Sequence, residues 1–228
     1  MMCDAECVIV SLSRIGLGMA RLTRLLPLVR SAAPEDRNQA RVLDAALLAF
    51  LDFGIKRTSM VEVARRGGLS LATLYRRFAS KSDLIRAVGL RQTREFIEDV
   101  DAALQRQVDR DASAEDQIVE LFAAFINGLR GNQLIHRLLA TEPELVLPYL
   151  TTQGAPVIEL GRDYLAEFIT RLQREGKLPE YDPEPLAEMI ARTALSLALT
   201  PQTVIPLGDD VSIRQFARDH VVVSFRVR

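Results

Sequence analysis

Tryptophan is absent from the 228-residue sequence, and cysteine and histidine occur only twice each. Both cysteines, Cys3 and Cys7, lie near the N-terminus, so the sequence excludes a disulfide framework and predicts a reducing, cytoplasmic setting. Their i, i+4 spacing would place two thiols on one helix face, but no nearby histidine or further cysteine completes a ligand set, and free thiols are expected. We therefore expect neither a metal site nor a cofactor.

The sequence also lacks any run of eighteen uncharged apolar residues, so it predicts no membrane-spanning helix. Several catalytic motifs are missing as well: the Walker A loop, the dinucleotide-binding fingerprint, Gly-x-Ser-x-Gly and His-Glu-x-x-His. His136 lies in an apolar helical stretch, where a histidine packed in the core is expected more often than a ligand or a base. These absences indicate that the protein is not an enzyme.

Positive charge is in slight deficit, because the formal net charge is −1. Its distribution is uneven: residues 35–95 carry twelve Lys/Arg against seven Asp/Glu, whereas residues 96–228 carry thirteen against twenty-one. Such an asymmetry is typical of a protein that presents one end to nucleic acid while the acidic remainder is repelled by phosphate.

Strand-like alternation of apolar and polar residues is missing too. Residues 221–225 are the single candidate, and we interpret them as the end of the last helix despite their β-branched side chains. Elsewhere apolar residues recur three and four positions apart, in segments separated by proline or glycine. The sequence therefore predicts an all-α protein, whose 48% hydrophobic content is ample for a buried core.

One segment contains the pattern of two short helices joined by a glycine turn. Ser59, followed three residues later by Glu62, predicts a capped helix start. Gly67 and Gly68 end this helix, and Ser70 is placed to cap the next one. The side chains expected to face the domain core are Val63, Ala64, Leu69, Leu74 and Phe78. This arrangement predicts a helix-turn-helix.

The opposite face of the second helix carries side chains suited to DNA. Guanidinium groups bind guanine edges or phosphates, hydroxyls bind phosphates, and small apolar groups contact thymine methyls. Lys81, in the first turn of a helix capped by Ser80, is predicted to bind phosphate, the alternative being a solvated surface lysine. The predicted DNA-binding residues are Thr58, Ser59, Ser70, Leu71, Ala72, Thr73, Tyr75, Arg76, Arg77 and Lys81.

These residues and their flanks resemble the DNA-binding domain of the TetR/AcrR family of bacterial transcriptional regulators. The resemblance covers residues 37–96. The residues that stand in the family's order and spacing are Phe50, Gly54, Thr58, Ala64, the turn Gly68-Leu69-Ser70, Thr73, Leu74, Tyr75, Phe78 and Lys81. Arg77 replaces a frequent histidine and Leu71 a frequent lysine or other polar residue, differences that concern the operator sequence and not the fold.

The resemblance implies a one-component regulator, by family default a repressor, with a three-helix DNA-binding head, a connecting fourth helix and a helical C-terminal domain that dimerises and binds a small molecule. Residues 35–82 would form the helix-turn-helix domain and residues 83–228 the effector-binding and dimerisation domain, preceded by an extension over residues 1–34. A helical protein-interaction module, whose helix-turn-helix serves only packing, is the alternative interpretation.

Two sites are predicted in the C-terminal domain. A narrow apolar seam on the last two long helices predicts a homodimer that reads a palindromic double-stranded operator, through Leu186, Ile190, Ala194, Leu197, Ala198 and Phe216. Aromatic residues concentrated between two long helices suit a cavity for a lipophilic effector, although such residues are more often plain core. The predicted pocket residues are Phe96, Phe122, Phe125, Ile126, Leu129, Tyr164 and Phe168.

The N-terminal extension has three interpretations. Residues 8–26 follow an amphipathic helical pattern that Pro27 should end or kink. They form an extra helix packed on the protein's own surface, a basic arm lying against DNA, or sequence upstream of a true translation start at Met19.

Overall fold

The computed structural model describes residues 25–31, 35–200 and 202–226. This part of the chain contains no strand, so the prediction of an all-α fold is confirmed, as is the helical interpretation of residues 221–225. Its helices are α1 (Leu25–Arg30), α2 (Arg37–Arg57), α3 (Met60–Arg66), α4 (Leu71–Arg77), α5 (Lys81–Val108), α6 (Ala114–Gly131), α7 (Gln133–Thr141), α8 (Pro143–Leu150), α9 (Ala155–Arg174), α10 (Pro183–Leu199) and α11 (Asp210–Phe216), followed by a π-helical turn (Ala217–Val221) and a 3-10 turn (Val222–Phe225).

The described chain forms two compact units, each assembled from two stretches of sequence. The head unit contains the described residues up to Arg94 together with Asn132–Pro156. The C-terminal unit contains Glu95–Gly131 and the described residues from Val157 onward. The boundary predicted after residue 82 lies in the first turn of α5, and the predicted division into a DNA-binding and an effector domain stays a prediction.

Helix α1 belongs to the head unit and buries Leu25, Leu26 and Val29. Leu26 and Val29 have no exposed surface. Helix α1 contains Pro27 and ends at Arg30, and the expectation that Pro27 ends or kinks a helix over residues 8–26 stays a prediction. The predictions about residues 8–24, Cys3, Cys7 and Met19 lie outside the described residues.

Helix α2 supplies the framework of the head. The Asp36 carboxylate accepts a hydrogen bond from the Gln39 amide at 2.7 Å and caps the helix. Phe50 is buried, and Gly54 interrupts the helical backbone at φ 80° and ψ 167°. One further turn then reaches Arg57, so Gly54 kinks α2.

The C-terminal unit packs α6 against the last helical segments. Ala123 and Ile126 on α6 form a buried cluster with Ile213 on α11. The guanidinium of Arg214 donates to the Glu120 carboxylate at 2.6 Å, which joins the same two helices by an ion pair. Helix α10, which carries most of the predicted dimer seam, has three buried residues, Ala187, Ala191 and Ala194.

Candidate nucleic-acid interface and effector cavity

Helix α4 presents the predicted DNA-facing surface. Leu74 is fully buried and anchors the helix to the head. Leu71 and Tyr75 remain 38% and 47% exposed, and Arg76 is also exposed. The Arg76 side chain makes no hydrogen bond or ion pair within the described part of the chain. The outer face of α4 therefore combines an available guanidinium with apolar and phenolic side chains.

The start of α4 is fixed by Ser70. Its hydroxyl oxygen accepts a hydrogen bond from the Thr73 amide at 3.1 Å and lies 2.8 Å from the Thr73 hydroxyl. This cap confirms the predicted helix start, and it commits part of the hydrogen-bonding capacity of both hydroxyls to the helix itself.

The turn between α3 and α4 needs glycine at one position. Gly67 has an ordinary helical φ, whereas Gly68 adopts φ +62°. The Arg41 guanidinium donates to the Gly67 carbonyl at 2.9 Å, and a Cβ on Gly68 would lie 2.9 Å from the same guanidinium. Nothing in the sequence pattern pairs Arg41 with this turn, because its partner lies 26 residues away.

The basic residues of α3 are paired within the chain. Ser59 accepts a hydrogen bond from the Glu62 amide at 3.2 Å, which confirms the predicted cap. The Glu62 carboxylate accepts from Arg65 and Arg66, and these bonds lower its pKa to about 2. Arg66 also contacts Asp52 at 2.7 Å. Helix α3 therefore adds less unpaired positive charge than its sequence suggests.

Arg77 is tied to the start of α2. Its guanidinium donates to the Asp36 carboxylate at 2.9 Å. This hydrogen bond, assisted by the Gln39 amide, lowers the pKa of Asp36. A DNA phosphate that contacted Arg77 would compete with Asp36, whereas one that contacted Arg76 would meet no such competition.

Thr58 corrects the list of predicted DNA-binding residues. It is only 3% exposed, and its hydroxyl lies 2.7 Å from the Gly54 carbonyl oxygen and 3.0 Å from that of Ala49. Its hydroxyl therefore closes the junction between α2 and α3 and is not available to DNA. The neighbouring residue Ser59 is exposed.

Lys81 lies in the first turn of α5 as predicted. Ser80 accepts a hydrogen bond from the Asp83 amide at 3.1 Å and caps the helix. The Lys81 ammonium donates to the Lys56 carbonyl at 3.2 Å. This contact holds a cation beside the N-terminus of a long helix, a combination that favours an anion.

A cavity of about 210 Å³ lies within the C-terminal unit. Its walls are mostly apolar, with Thr193, His220 and Ser224 as polar members. Met189, 53% exposed, and the exposed His220 lie at its rim. The predicted pocket residues that line it are Phe122, Phe125 and Ile126.

Four predicted pocket residues are not on this wall. Phe96 packs edge-on against Phe125, with ring centroids 5.1 Å apart. The Tyr164 hydroxyl donates to Asp101 at 2.8 Å, and the buried Phe168 ring meets Phe225. Leu129 is half-buried one turn beyond Ile126 and is likewise not among the wall residues. Helical periodicity predicts that these residues share apolar faces, but it does not determine which of them reach the cavity.

Most of the predicted dimer seam faces the same cavity. Its wall includes Ile190, Ala194, Leu197 and Phe216. Leu197 also packs against the buried cluster of Ala123, Ile126 and Ile213. Beside the cavity, an open groove of about 570 Å³ is lined by apolar Val204, Ile205, Pro206 and Val211 together with Phe216 and His220. The predicted effector and dimer residues therefore share one region of the unit.

Two other features bear on function. Within the described ranges, no group of His, Cys, Asp and Glu side chains is arranged to hold a metal ion. No helix there combines the length and apolar character that crossing a membrane requires.

Comparison with known families gives two matches. The model for bacterial regulatory proteins of the tetR family matches residues 42–88. The model for the C-terminal domain of the bacterial Tetracyclin repressor matches residues 111–206. The first match contains α3 and α4, and the second contains α6, whose side chains line part of the cavity.

Individual relatives agree with these matches. An uncharacterized HTH-type transcriptional regulator of Mycobacterium bovis is 27% identical over 173 residues, 76% of this chain and 86% of the relative. The HTH-type transcriptional regulator AlkX of Mycobacterium tuberculosis is 26% identical over 198 residues, which are 83% of this chain and 91% of the relative. The solved TetR family repressor AlkX from a Dietzia strain, implicated in biodegradation of n-alkanes, covers 80% of this chain and 93% of its own, with 23% identity and a TM-score of 0.56.

The matched domains follow the order of the helices described above, and together they account for more than half of the residues. The sequence relatives are named as HTH-type transcriptional regulators. The chain belongs to the TetR family of bacterial regulatory proteins and is a helix-turn-helix transcriptional regulator.

Proposed function

We propose that this regulator represses transcription by binding a palindromic operator as a homodimer, and that it leaves the DNA when a lipophilic molecule enters the C-terminal cavity. The outer face of α4 carries the proposal. Leu74 holds the helix on the head, while Leu71, Tyr75 and Arg76 stay exposed for base edges and phosphates. The functional division is residues 35–82 for DNA and residues 83–228 for effector and dimer, acting in the cytoplasm.

The cavity supports a small, largely uncharged effector. Its volume of about 210 Å³ is below the roughly 300–1,000 Å³ of pockets for drug-sized ligands. The effector is therefore compact, or it inserts a hydrocarbon chain and leaves a polar end near Thr193, His220 or Ser224. The solved AlkX repressor is implicated in n-alkane biodegradation, so medium-chain alkanes, alcohols and fatty acids are the first probes.

Helix α5 is the proposed route from effector to DNA. It begins at Lys81 beside the helix-turn-helix and continues to Val108, with Phe96 packed on the cavity residue Phe125. A ligand shifts the equilibrium only by its differential affinity for the DNA-bound and released states. A coupling of roughly 1–3 kcal/mol would weaken operator binding about 5- to 150-fold.

The test is DNA binding at several salt concentrations. Fluorescence anisotropy would compare promoter DNA from beside the protein's own gene with random DNA of equal length. We expect promoter binding at least roughly a thousandfold tighter than random binding, and affinity that falls as salt rises. Equal affinity for both DNAs would contradict operator recognition and favour the helical interaction module.

A further inference from the structure

The kink in α2 leaves two backbone amides that the helix does not pair. Gly54 leaves the helical region at φ 80° and ψ 167°, which restarts the hydrogen-bonding pattern at Ile55. Amides in the first turn of a helix lack acceptors within that helix, so Ile55 and Lys56 need an acceptor from elsewhere.

Glu142, located between α7 and α8, supplies that acceptor. Its Oε2 accepts from the Ile55 amide at 2.7 Å, and its Oε1 accepts from the Lys56 amide at 3.0 Å. The residue is 7% exposed, and 87 residues of sequence separate it from Ile55. A buried carboxylate is costly unless it is hydrogen-bonded, and bonds to a charged acceptor are the stronger class. Glu142 and the kinked turn therefore satisfy each other.

Hydrogen bonds of the Glu142 backbone also fix the position of this residue. Its amide donates to the Leu138 carbonyl at 2.8 Å, and its carbonyl accepts from the Leu145 amide at 3.0 Å. The carboxylate also leaves no room for a side chain at position 54, because a Cβ on Gly54 would lie 2.8 Å from Oε1. Gly54 is thus required twice, for its positive φ and for the space that Glu142 occupies.

The turn that Glu142 binds leads directly to the DNA-facing residues. The Lys56 carbonyl accepts from Lys81, the predicted phosphate-binding residue. The Gly54 carbonyl accepts from Thr58, which precedes the cap of α3. Lys56 also forms an ion pair with Glu144, and this exposed pair lowers the pKa of Glu144.

We infer that Glu142 is a positioning residue for operator binding: its carboxylate holds the Gly54–Arg57 turn, and through that turn it sets the position of α3 and Lys81. Glu142 is in this respect part of the DNA-binding machinery, although it lies far outside the helix-turn-helix in sequence. The inference rests on the proposed operator binding and names a determinant of it.

The first experiment compares Glu142→Gln with Glu144→Gln. Glutamine at position 142 keeps the shape of the side chain but offers one acceptor and one donor to two N–H groups, whereas Glu144 is an exposed residue of the same type in the first turn of α8. Because bonds to charged groups exceed surface ion pairs in strength, we expect about a tenfold or larger loss of operator affinity for Glu142→Gln and less than about twofold for Glu144→Gln. Random-DNA affinity should change less than operator affinity.

The second experiment is a double-mutant cycle of Gly54→Ala and Glu142→Ala. Operator affinity is measured for the wild type, the two single variants and the double variant, at a temperature at which all four proteins are folded. The strain of alanine at positive φ occurs in both Gly54→Ala proteins and cancels, so the cycle isolates the contact between Cβ and carboxylate. We expect the double variant to bind operator better than the two single losses predict. Additive losses would contradict the contact.

Hydrogen exchange of the wild-type protein keeps the inference testable if a variant fails to fold. The amides of Ile55 and Lys56 should exchange as slowly as the core of α2, because they are bonded to a buried acceptor. Fast exchange, or unchanged operator preference in folded Glu142→Gln, would overturn the inference while leaving operator binding intact. Wild-type protein without operator preference would instead overturn the proposed function, and this inference with it.

Discussion

At the scale of single residues, Arg76 and Lys81 should contribute to DNA binding in different ways. Arg76 is exposed on α4, so Arg76→Ala should cost about 1–3 kcal/mol at the operator and relax specificity at one base pair if it reads a guanine. Lys81→Ala should weaken all sequences alike and reduce the salt slope by about one. Anisotropy titrations of operator and random DNA distinguish the two, and unchanged affinities in both variants would show that another face meets DNA.

Glu62 should make the stability of the head depend on pH. Its pKa falls from the ordinary 4.5 to about 2 because Arg65 and Arg66 donate to it. A carboxyl whose pKa is lower in the folded state stabilises the protein fully above its unfolded pKa, and the contribution is lost as pH falls through the folded pKa. The urea midpoint of the wild type should therefore exceed that of Glu62→Gln near pH 7, with the difference closing between pH 4.5 and 2. A difference independent of pH would contradict the ionic origin.

At the scale of elements, α6 should link effector binding to the release of DNA. Phe125 lines the cavity and touches Phe96 of α5, so Phe125→Trp should fill the cavity and abolish effector-induced DNA release while operator affinity stays within about twofold. Leu129→Met, off the cavity wall on the same helix, is the matched control. The measurements are melting temperature and operator affinity with and without each lipophilic probe. Stabilisation by a probe without any change in operator affinity would support the cavity as a binding site but contradict the switch.

At the scale of the whole molecule, α10 should have two roles, one in the interface of the proposed homodimer and one in the core of its own chain. Met189 is 53% exposed in the single chain, so Met189→Glu should yield folded monomer if α10 forms the interface. Leu197 packs against the buried cluster, so Leu197→Glu should lower the melting temperature as well. Light scattering at micromolar concentration and thermal melts distinguish these outcomes. A Met189→Glu protein that stays dimeric would place the interface elsewhere.

The helices and the helix-turn-helix could be predicted from the order of the residues alone. Ser59, Ser70 and Ser80 each cap a helix through an amide three residues later, and Leu74 is buried one turn beyond its cap. Such contacts join neighbours in the chain, so the order of residue types is enough to predict them. The same holds for the all-α fold, which follows from apolar spacing and from the glycines and prolines between the helices.

The contacts between side chains that are distant in sequence could not be predicted in this way. Thr58 is buried, Glu142 reaches Ile55 across 87 residues, and Phe125 lines the cavity while Tyr164 does not. Helical periodicity identifies an apolar face but not the angle at which that face meets another helix. Nor does it pair a carboxylate with a particular backbone amide, because that pairing depends on how separate segments pack after their local structures have formed.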